Sequence, residues 1–527
     1  MSEEAVAPIK SEFILCRVDS SENHSDLDVA TKRNRGVNRD RPYDVRSPLE
    51  SKVCSFILSN TTCPYGEKCR YLHDTSSYLE TKPTDLEGAC PLFSKYGKCR
   101  FGISCRFAGQ HAGADFSSSA DLGLDGVGFD GSEFNLLTLD LRKQLMKRKY
   151  DFCRACEGVS SIRRNCLNVY PPRNDRMNIQ GKLYLAPLST LGNLPFRRLC
   201  VDFGADVTCS EMVMATELLK GSRSEWALVR RHSSEKFFGV QLCGSSADVM
   251  AKAAQLLLDE ARIDFLDINA ACPLDLVCEK GAGCSLMKKT NRLIEVVRGM
   301  RSVMNDLPLT VKLRTGIQKQ KNIARDVVST LRDCDVDLVI LHGRSRDQRY
   351  TKLADWNYVD ECAKACVPLP LVGIGDVLSF TDYYHNLDKY SVAGVAVGRG
   401  ALIKPWIFTE ILEKRHWDIS SVERLEILKR FVGYGLEHWG TDQEGVNRTR
   451  RFLLEWLSFL YRYIPVGLLE YLPQRINHRP PRYFGRNDLE TLMASDRSSD
   501  WIKISEMLLG PVPDGFQFVP KHKANAY

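Results

Sequence analysis

The chain has 527 residues, of which 43% are hydrophobic and 26% are charged, and its formal net charge is +7. This composition is typical of a soluble globular protein with about two to four domains, and the modest positive charge permits a polyanionic partner without requiring one. No apolar run approaches the roughly 18 residues that cross a bilayer, and no signal-peptide pattern stands at the start, so we expect a cytoplasmic or nuclear protein. In such a compartment the 19 cysteines are expected to be thiols, metal ligands or nucleophiles and not disulfides.

Residues 1–49 are rich in serine, asparagine, aspartate and arginine and show little apolar periodicity. Basic residues cluster between Thr31 and Arg46. This pattern predicts a disordered basic arm. The arm could contact nucleic acid, although a solvated tail is the favoured interpretation.

Residues 50–112 contain two arrays of cysteine and histidine with similar spacing, C-x8-C-x5-C-x3-H and C-x8-C-x5-C-x5-H. Three thiolates and one imidazole complete the tetrahedral ligand set of a structural zinc ion, and a module of about 25 residues has too small a core to fold without the metal. The arrays therefore predict two zinc sites. The predicted ligands are Cys54, Cys63, Cys69 and His73 for the first ion, and Cys90, Cys99, Cys105 and His111 for the second.

The spacing of both arrays resembles the CCCH zinc-finger family, whose members commonly bind single-stranded RNA. The final spacing before His111 departs from the usual three residues. Aromatic and basic residues interleave along both fingers, and this mixture can stack on bases and pair with phosphates. These residues are Tyr65, Lys68, Arg70, Tyr71, Arg100, Phe101, Arg106 and Phe107. A finger that serves only as a structural clip or a protein contact is the alternative.

Residues 113–178 are interpreted as a linker, because the stretch between positions 113 and 131 is rich in glycine, serine and aspartate. A short amphipathic basic helix is predicted to follow. Leu141 and Leu145 lie on its apolar side, opposite Arg142 and Lys149.

Between residues 179 and 418 the sequence alternates between short β-rich segments and helical intervals. Eight such segments within roughly 230 residues predict an α/β fold of the (β/α)8 TIM-barrel type, and the count of eight argues against a doubly wound sheet. The segments are Leu183–Ala186, Val207–Ser210, Phe237–Leu242, Phe265–Ile268, Leu309–Leu313, Leu338–Leu341, Leu369–Val372 and Gly394–Val397.

Polar or glycine residues stand at the end of every predicted strand, which is where barrels carry their chemistry. The fourth strand leads to Cys272 and then to a loop punctuated by Gly281 and Gly283, where backbone can approach a ligand closely. A thiol at a strand tip suggests a catalytic residue, although a buried, unreactive cysteine is the commoner alternative.

The strand ends also indicate a cofactor. Lys312 would be costly to bury within a strand unless it faces an anion or an electron-rich ring. The turn at Gly398 and Arg399, after the eighth strand, is where barrels commonly hold a phosphate on backbone N–H groups. We therefore expect a phosphate-bearing cofactor whose ring lies across Gln241, Lys312 and His342.

Six motifs of the barrel resemble the tRNA-dihydrouridine synthases, FMN enzymes that reduce a uridine of tRNA to dihydrouridine. The resemblance extends from about Lys182 to the C-terminus, and two CCCH fingers ahead of the barrel are similar to the eukaryotic branch that acts on position 47 of the tRNA variable loop. The motifs are Leu185-Ala-Pro-Leu-Ser189 with Gly192-Asn-Leu-Pro-Phe196, Gly239-Val-Gln-Leu242, Asp267-Ile-Asn-Ala-Ala-Cys-Pro273, Val311-Lys-Leu-Arg-Thr-Gly316, Leu341-His-Gly-Arg344 and Val397-Gly-Arg-Gly-Ala401.

The resemblance implies a role for each matching residue. Cys272 is the implied proton donor, and Gln241, Lys312 and His342 are the implied contacts of the flavin ring. The other implied FMN contacts are Pro187, Leu188, Ser189, Ile374, Gly375, Asp376, Gly398 and Arg399.

Two positions depart from the family pattern without removing a reacting group. Ile374 stands where the family usually has asparagine, so any hydrogen bond from that side chain is lost. Ala271 stands where the family tends to have glycine, immediately before the cysteine.

The implied reaction is consistent with the chemistry of these groups. Reduction of the uracil C5–C6 double bond needs a hydride at C6, which reduced flavin supplies, and a proton at C5. A thiol with a pKa of about 8.5 is mostly protonated at neutral pH, so Cys272 can donate that proton. NADPH or NADH is expected to reduce the flavin in a separate half-reaction, and the target base must be unstacked to reach it.

Residues 419–527 are predicted to be helical, with apolar residues at helical spacing in Val422–Trp439 and Val446–Ile464. The resemblance implies that this helical domain docks tRNA, and four arginines favour that role, Arg475, Arg479, Arg482 and Arg486. A purely structural helical cap is the alternative.

Two other functions are compatible with parts of the sequence. An FMN barrel oxidoreductase could act on a small molecule such as a dihydropyrimidine or an enone, but the fingers would then have no purpose. A CCCH RNA-binding protein could carry a barrel that has lost catalysis, for which Ile374 is the only indication. The expected partner is tRNA, with mRNA as a further candidate, and the chain is expected to be a monomer that does not bind membranes.

Overall fold

The computed structural model describes residues 6–15, 38, 41, 48–111, 132–164, 177–319, 321–348, 350 and 352–521. None of the helices within these ranges combines the length and the apolar character that a membrane crossing requires.

Eight parallel strands close into a barrel, which confirms the predicted fold. Each strand pairs with its neighbours in sequence, and the eighth pairs with the first through Ala396 and Tyr184. The strands are β1 Tyr184–Leu185, β2 Val207–Cys209, β3 Phe237–Cys243, β4 Phe265–Asn269, β5 Leu309–Arg314, β6 Leu338–His342, β7 Leu371–Ile374 and β8 Gly394–Val397.

Alternate residues of these strands fill the barrel interior. Tyr184, Phe265, Ile340 and Val372 belong to one buried cluster that draws a residue from most of the strands. Val339 and Leu341, the neighbours of Ile340 in β6, belong to the larger cluster formed with the surrounding helices. Because side chains alternate between the two faces of a strand, residues in step with this inner cluster also face the interior at the carboxyl end of the barrel.

Helices surround the barrel. They are Leu194–Asp202, Ala215–Leu218, Arg223–Val229, Ala247–Glu260, Asp275–Glu279, Thr290–Arg301, Ala324–Arg332, Trp356–Ala365, Phe380–Lys389, Arg399–Ile403 and Ile407–Glu413, with a 3-10 helix at Gly283–Lys288. A further short strand, Val213–Met214, pairs with the end of β3.

Two helices precede the barrel. Leu139–Met146 corresponds to the predicted basic helix, and it buries Leu141 and Leu145. Cys153–Arg163 was not expected from the sequence. It packs on the barrel helix Ala247–Glu260, where the side chain of Gln255 accepts a hydrogen bond from the backbone of Ala155 (3.0 Å).

The finger region consists of short helices between the cysteine ligands. The α-helices are Ser55–Leu58, Thr75–Thr81 and Pro91–Tyr96, and the 3-10 helices are Leu49–Ser51, Gly66–Lys68, Gly102–Ser104 and Ala108–Gln110. After it, strand Glu133–Phe134 pairs antiparallel with Arg231–His232 of the barrel domain.

The C-terminal region is helical, as predicted. Its helices are Ser421–Trp439, Gln443–Leu460, Asp488–Ala494 and Ser498–Leu509, with a 3-10 helix at Val466–Leu468. Ser420 and Glu423 form a capping box at the first of them, and Trp456 Nε1 donates to the carbonyl of Leu402 (3.0 Å), which joins the region to the barrel.

The predicted disordered arm is ordered at residues 6–15. Ala7 and Ile9 are buried in a cluster with Leu468 and Tyr483, and the backbone of Ala7 donates to that of Arg479 (2.9 Å). The prediction was wrong here because these few apolar side chains find a partner surface far away in the sequence. Except for residues 38, 41, 48 and 49, the rest of the predicted arm lies outside the described residues.

Candidate active site

The predicted proton donor Cys272 lies three residues beyond β4, in a turn held by Asn269. The Oδ1 atom of Asn269 accepts hydrogen bonds from the backbone N–H groups of Ala271 (3.1 Å) and Cys272 (2.8 Å). An asparagine that binds the backbone two and three residues ahead stabilises a tight turn. The position of Cys272 relative to the barrel is therefore set by a side chain of the barrel itself.

A chain of buried hydrogen bonds fixes Asn269 in turn. Its amide donates to Gln241 Oε1 (2.6 Å), Gln241 Nε2 donates to Asp267 Oδ2 (2.6 Å), and Thr310 Oγ1 donates to Asp267 Oδ1 (2.5 Å). Burial raises the pKa of Asp267 to about 6, while the hydrogen bonds from Thr310 and Gln241 act in the opposite direction. Gln241, predicted from the resemblance to contact a flavin ring, thus also helps to position the cysteine turn.

The other side of the turn is held by β5 and by the following loop. Arg314 Nε and Cys284 Sγ both donate to the carbonyl of Ala271 (2.8 and 3.0 Å), and the backbone of Cys284 donates to the carbonyl of Cys272 (3.0 Å). Gly283 has φ +58°, and a Cβ there would meet the Cys272 carbonyl oxygen at 2.8 Å. The close approach therefore requires glycine at position 283.

The turn accepts Ala271 without backbone strain. Ala271 is buried, and it is not among the described residues with positive φ. A glycine, which the family usually has at this position, is therefore not needed to form the turn in this chain.

The surroundings of Cys272 favour the protonated thiol. Burial raises the pKa of Cys272 above its ordinary value, while the backbone N–H of Leu274 and the charges of Arg314 and Lys312 act against this rise without cancelling it. At neutral pH the side chain therefore retains its proton, as a proton donor requires.

The other predicted ring contacts lie on adjacent strands. Lys312 pairs with Asn269 across β4 and β5, and His342 pairs with Arg314 across β5 and β6. Burial lowers the pKa of Lys312. Burial also lowers the pKa of His342 well below its ordinary value, and the nearby positive charges of Arg314 and Lys312 act in the same direction. The imidazole is therefore neutral at pH 7.

A pair of arginines shares one carboxylate beyond β6, β7 and β8. Asp376 accepts hydrogen bonds from Arg344 Nη2 (2.6 and 2.8 Å), from Arg399 Nη2 (2.9 Å) and from the backbone of Ala354 (2.6 Å). The Nη1 atoms of both arginines are buried and have no hydrogen-bond partner among the described residues. Asp376 thus aligns two guanidinium groups whose remaining donors are suited to an anion.

An aromatic ring covers these arginines. The Tyr350 ring centroid lies 4.0 Å from the guanidinium carbon of Arg399 and 5.2 Å from that of Arg344. The same ring stacks on His342, with the ring centroids 6.0 Å apart. Tyr350 therefore bridges the ring-contact and arginine parts of the site.

The loops after β1 and β8 leave space beside the arginines. A Cβ built at Gly398 would have only Leu188 Cδ2 near it, at 4.0 Å. Leu188 is buried, whereas its neighbour Ser189 is exposed. A glycine facing open space between two strand ends allows a ligand to approach the backbone closely.

The end of β7 is shaped by close packing. Ile374 pairs in register with His342 and is buried. A Cβ at Gly375 would meet the Cβ of Ala354 at 2.5 Å, and the Gly375 carbonyl accepts a hydrogen bond from Trp356 Nε1 (3.1 Å). The strand thus ends with an apolar side chain next to the imidazole.

The predicted zinc ligands form two clusters. In each, the ligand atoms of all four residues lie within 4.8 Å of one another, and this includes His111 with its longer spacing. The sulfurs of Cys54 and Cys69 are 3.8 Å apart, as are those of Cys90 and Cys105. Tetrahedral zinc with Zn–S bonds of about 2.3 Å places its sulfurs about 3.8 Å apart. His73 Nε2 is buried and has no hydrogen-bond partner among the described residues, as expected of a metal ligand.

Comparison with protein-family models agrees with both parts of the chain. The model described as "Dihydrouridine synthase (Dus)" matches residues 184–458, and the one described as "DUS3L CCCH zinc finger domain" matches residues 46–81. The chain belongs to the dihydrouridine synthase family. The match covers the barrel strands and the first two C-terminal helices.

Curated members of the dihydrouridine synthase family are similar over most of their length. The human protein named "tRNA-dihydrouridine(47) synthase [NAD(P)(+)]-like" is 50% identical over 551 residues, covering 94% of this chain and 84% of the relative. The Xenopus laevis protein of the same name is also 50% identical, covering 94% and 83%. Among solved structures, the old yellow enzyme from Trypanosoma cruzi is 8% identical with a TM-score of 0.35, covering 47% of this chain and 94% of that chain, which is too little to support an argument.

The structure adds residues to those predicted for this member of the family. Asp267, Asn269, Arg314, Arg344 and Tyr350 contact the predicted site residues but were not assigned roles from the sequence. Arg344 lies two positions after His342, and because side chains alternate between the two faces of a strand, it could have been predicted as a site residue on the same face as His342. The others act through contacts between strands or loops, which a single sequence does not display.

Proposed function

We propose that this chain reduces a uridine in tRNA to 5,6-dihydrouridine and that Cys272 donates the proton to C5. The turn held by Asn269 presents a thiol whose pKa is raised by burial, and this observation supports the proposal most strongly. The family membership supports the same reaction class.

The cofactor we propose is FMN, bound across the strand ends. Its phosphate would be held by Arg344 and Arg399, whose buried Nη1 atoms have donors to spare, next to the open backbone at Gly398. Lys312 and His342 would lie against the ring. When bound, FMN reduced by NADPH or NADH supplies a hydride for C6 of the uracil.

The residues of the chain have separable roles in this proposal. The thiol of Cys272 holds a proton until C5 needs it, because burial disfavours the thiolate. Lys312 supplies positive charge beside a ring that gains electron density. The neutral imidazole of His342 can donate a hydrogen bond to, or accept one from, an atom of the flavin ring without adding charge.

The substrate we propose is the uridine at position 47, because the similar human and Xenopus laevis relatives carry that position in their names. The base must leave the RNA stack to reach a thiol at the end of a barrel. We propose further that two zinc ions occupy the fingers and that the chain acts as a monomer in the cytoplasm or nucleus. Messenger RNA is an additional candidate substrate.

The test uses the purified full chain with unmodified tRNA transcript and NADPH under anaerobic conditions. We expect flavin absorption that bleaches with NADPH and recovers on addition of tRNA, together with one dihydrouridine per tRNA detected by mass spectrometry. Recovery with a free pyrimidine base or an enone but not with tRNA would instead support a small-molecule oxidoreductase. A protein that neither retains nor takes up FMN would support an RNA-binding protein without catalysis.

A further inference from the structure

The two fingers are similar in sequence but differ in their surroundings. Counted from the second and third cysteines, Tyr65 and Tyr71 of the first finger correspond to Phe101 and Phe107 of the second. Tyr65 and Tyr71 are 65% and 43% exposed, whereas Phe107 is 6% exposed. Equivalent positions thus face solvent in one finger and protein in the other.

The basic residues show the same difference. Arg70 is exposed, and its counterpart Arg106 is buried. The guanidinium group of Arg106 donates to Gln443 Oε1 and to the carbonyl of Thr84 (2.7 Å). Among the described residues, Arg70 has no ion pair. Arg106 and Phe107 were predicted to contact RNA, and their burial removes them from that role.

The second finger is docked on the turn between helices Ser421–Trp439 and Gln443–Leu460. The backbone of Arg106 donates to the carbonyl of Thr441 (2.8 Å). A Cβ at Gly440 would meet the ring of Phe101 at 2.5 Å. The finger backbone therefore lies directly against the helical domain.

This contact reaches the second metal cluster through Thr441. Its side chain is fully buried, and its hydroxyl oxygen lies 3.2 Å from Cys105 Sγ and 3.4 Å from Cys99 Sγ. Cysteines that bind zinc are thiolates and can only accept hydrogen bonds, so the hydroxyl of Thr441 must be the donor when the metal is present. Such outer-shell donors orient ligands and strengthen metal binding.

The first finger instead borders an open groove of about 1030 Å³. Arg70, Tyr71 and His73 are among the residues that line it. Exposed rings beside exposed cations form a surface on which single-stranded bases stack while phosphates are paired.

We propose that the fingers divide two tasks. The first binds single-stranded RNA of the tRNA substrate through Tyr65, Arg70 and Tyr71. The second is a structural joint docked on the helical domain, and the hydroxyl of Thr441 helps to retain its zinc ion. The identity of the RNA rests on the proposed function, whereas the role of Thr441 does not.

The zinc half of the proposal is tested by release of metal from the full chain to a chromogenic chelator. Thr441→Val keeps the side-chain shape and removes the donor, and Thr441→Ser restores the donor. In Thr441→Val we expect one of the two zinc ions to be released at least roughly ten-fold faster than in the parental chain and the other to be released at the parental rate. In Thr441→Ser we expect both ions to be released at the parental rate. Parental release of both ions from Thr441→Val would overturn this role.

The RNA half is tested by the affinity of each variant for unmodified tRNA transcript. The double variant Tyr65→Ala with Tyr71→Ala is expected to raise Kd roughly ten-fold or more without loss of zinc, because two stacking surfaces are removed. Arg100→Ala, on the second finger, is expected to change Kd less than about two-fold. An equal effect of Arg100→Ala would overturn the division of tasks. If the parental chain did not bind tRNA, the proposed function and the RNA-binding role of the first finger would both be contradicted. The zinc-release measurement would still test the role of Thr441.

Discussion

Asn269 and Cys272 are joined by a hydrogen bond of 2.8 Å from the backbone N–H of the cysteine to the side-chain oxygen of the asparagine. Asn269 ends a barrel strand and is anchored through Gln241 and Asp267 to the buried interior. The thiol is therefore positioned by the rigid barrel, although it lies in a loop. This arrangement suits a group that must meet one carbon atom of a bound base.

Loss of the Asn269 side chain is expected to slow the reaction without removing the cofactor. In Asn269→Ala the N–H groups of Ala271 and Cys272 lose their acceptor, so we expect kcat for dihydrouridine formation to fall about 10- to 100-fold. Asn178→Ala is a matched control, because Asn178 accepts a backbone hydrogen bond from Gln180 (3.0 Å) in an exposed turn elsewhere. Equal kcat values for the two variants would contradict the role of Asn269.

Replacement of Gly283 is expected to disturb the same turn. Gly283→Ala introduces a Cβ that meets the Cys272 carbonyl at 2.8 Å and adds left-handed strain of about 1 kcal/mol. Gly181→Ala, at φ +69° with no atom within 4 Å of the new Cβ, carries the strain without the collision. We expect a loss of activity in Gly283→Ala alone, measured on tRNA at equal flavin content. Similar activities would show that the close approach is unimportant.

The arginine pair is expected to control cofactor affinity. Arg344→Lys removes the planar guanidinium group, which can hydrogen-bond to Asp376 and to an anion at the same time. The dissociation constant for FMN, measured by flavin fluorescence, should therefore rise roughly ten-fold. Arg332→Lys is the control, since Arg332 pairs with Asp333 on the outer surface. Unchanged FMN affinity in Arg344→Lys would place the phosphate elsewhere.

The pH dependence should follow the protonated form of Cys272. Burial raises its pKa above the ordinary value, so the donor is present at neutral pH and is lost as the pH rises through that pKa. We expect the rate of dihydrouridine formation by the prereduced enzyme to remain level around neutral pH and to fall at alkaline pH. The residual rate of Cys272→Ser should lack this alkaline fall. A parental rate that increases with alkaline pH would indicate a thiolate instead.

The barrel could be predicted because its signal is local. Each of the eight strands appears as a short apolar segment, and the observed bounds differ mainly at the ends. The seventh strand begins at Leu371 and not at Leu369, because Pro370 has no N–H to donate to the ladder. The alternation of these strands with helices predicted the barrel, and the pairing of the eighth strand with the first confirmed it.

The site could be predicted only where residues lie at strand ends. Cys272, Lys312 and His342 were predicted as site residues in this way, whereas the hydrogen bond between Asn269 and Gln241 depends on the register of neighbouring strands. Arg106 of the second finger was misinterpreted for a related reason. Its sequence suggests RNA binding, but in the fold it is buried against Gln443, which lies 337 residues further along the chain.

The most direct test of the proposed reaction separates its two halves in Cys272→Ala. The variant is expected to bind FMN and to be reduced by NADPH at the parental rate, whereas single-turnover formation of dihydrouridine in unmodified tRNA should fall by about two to four orders of magnitude. Formation of dihydrouridine at the parental rate would contradict the assignment of Cys272 as the proton donor.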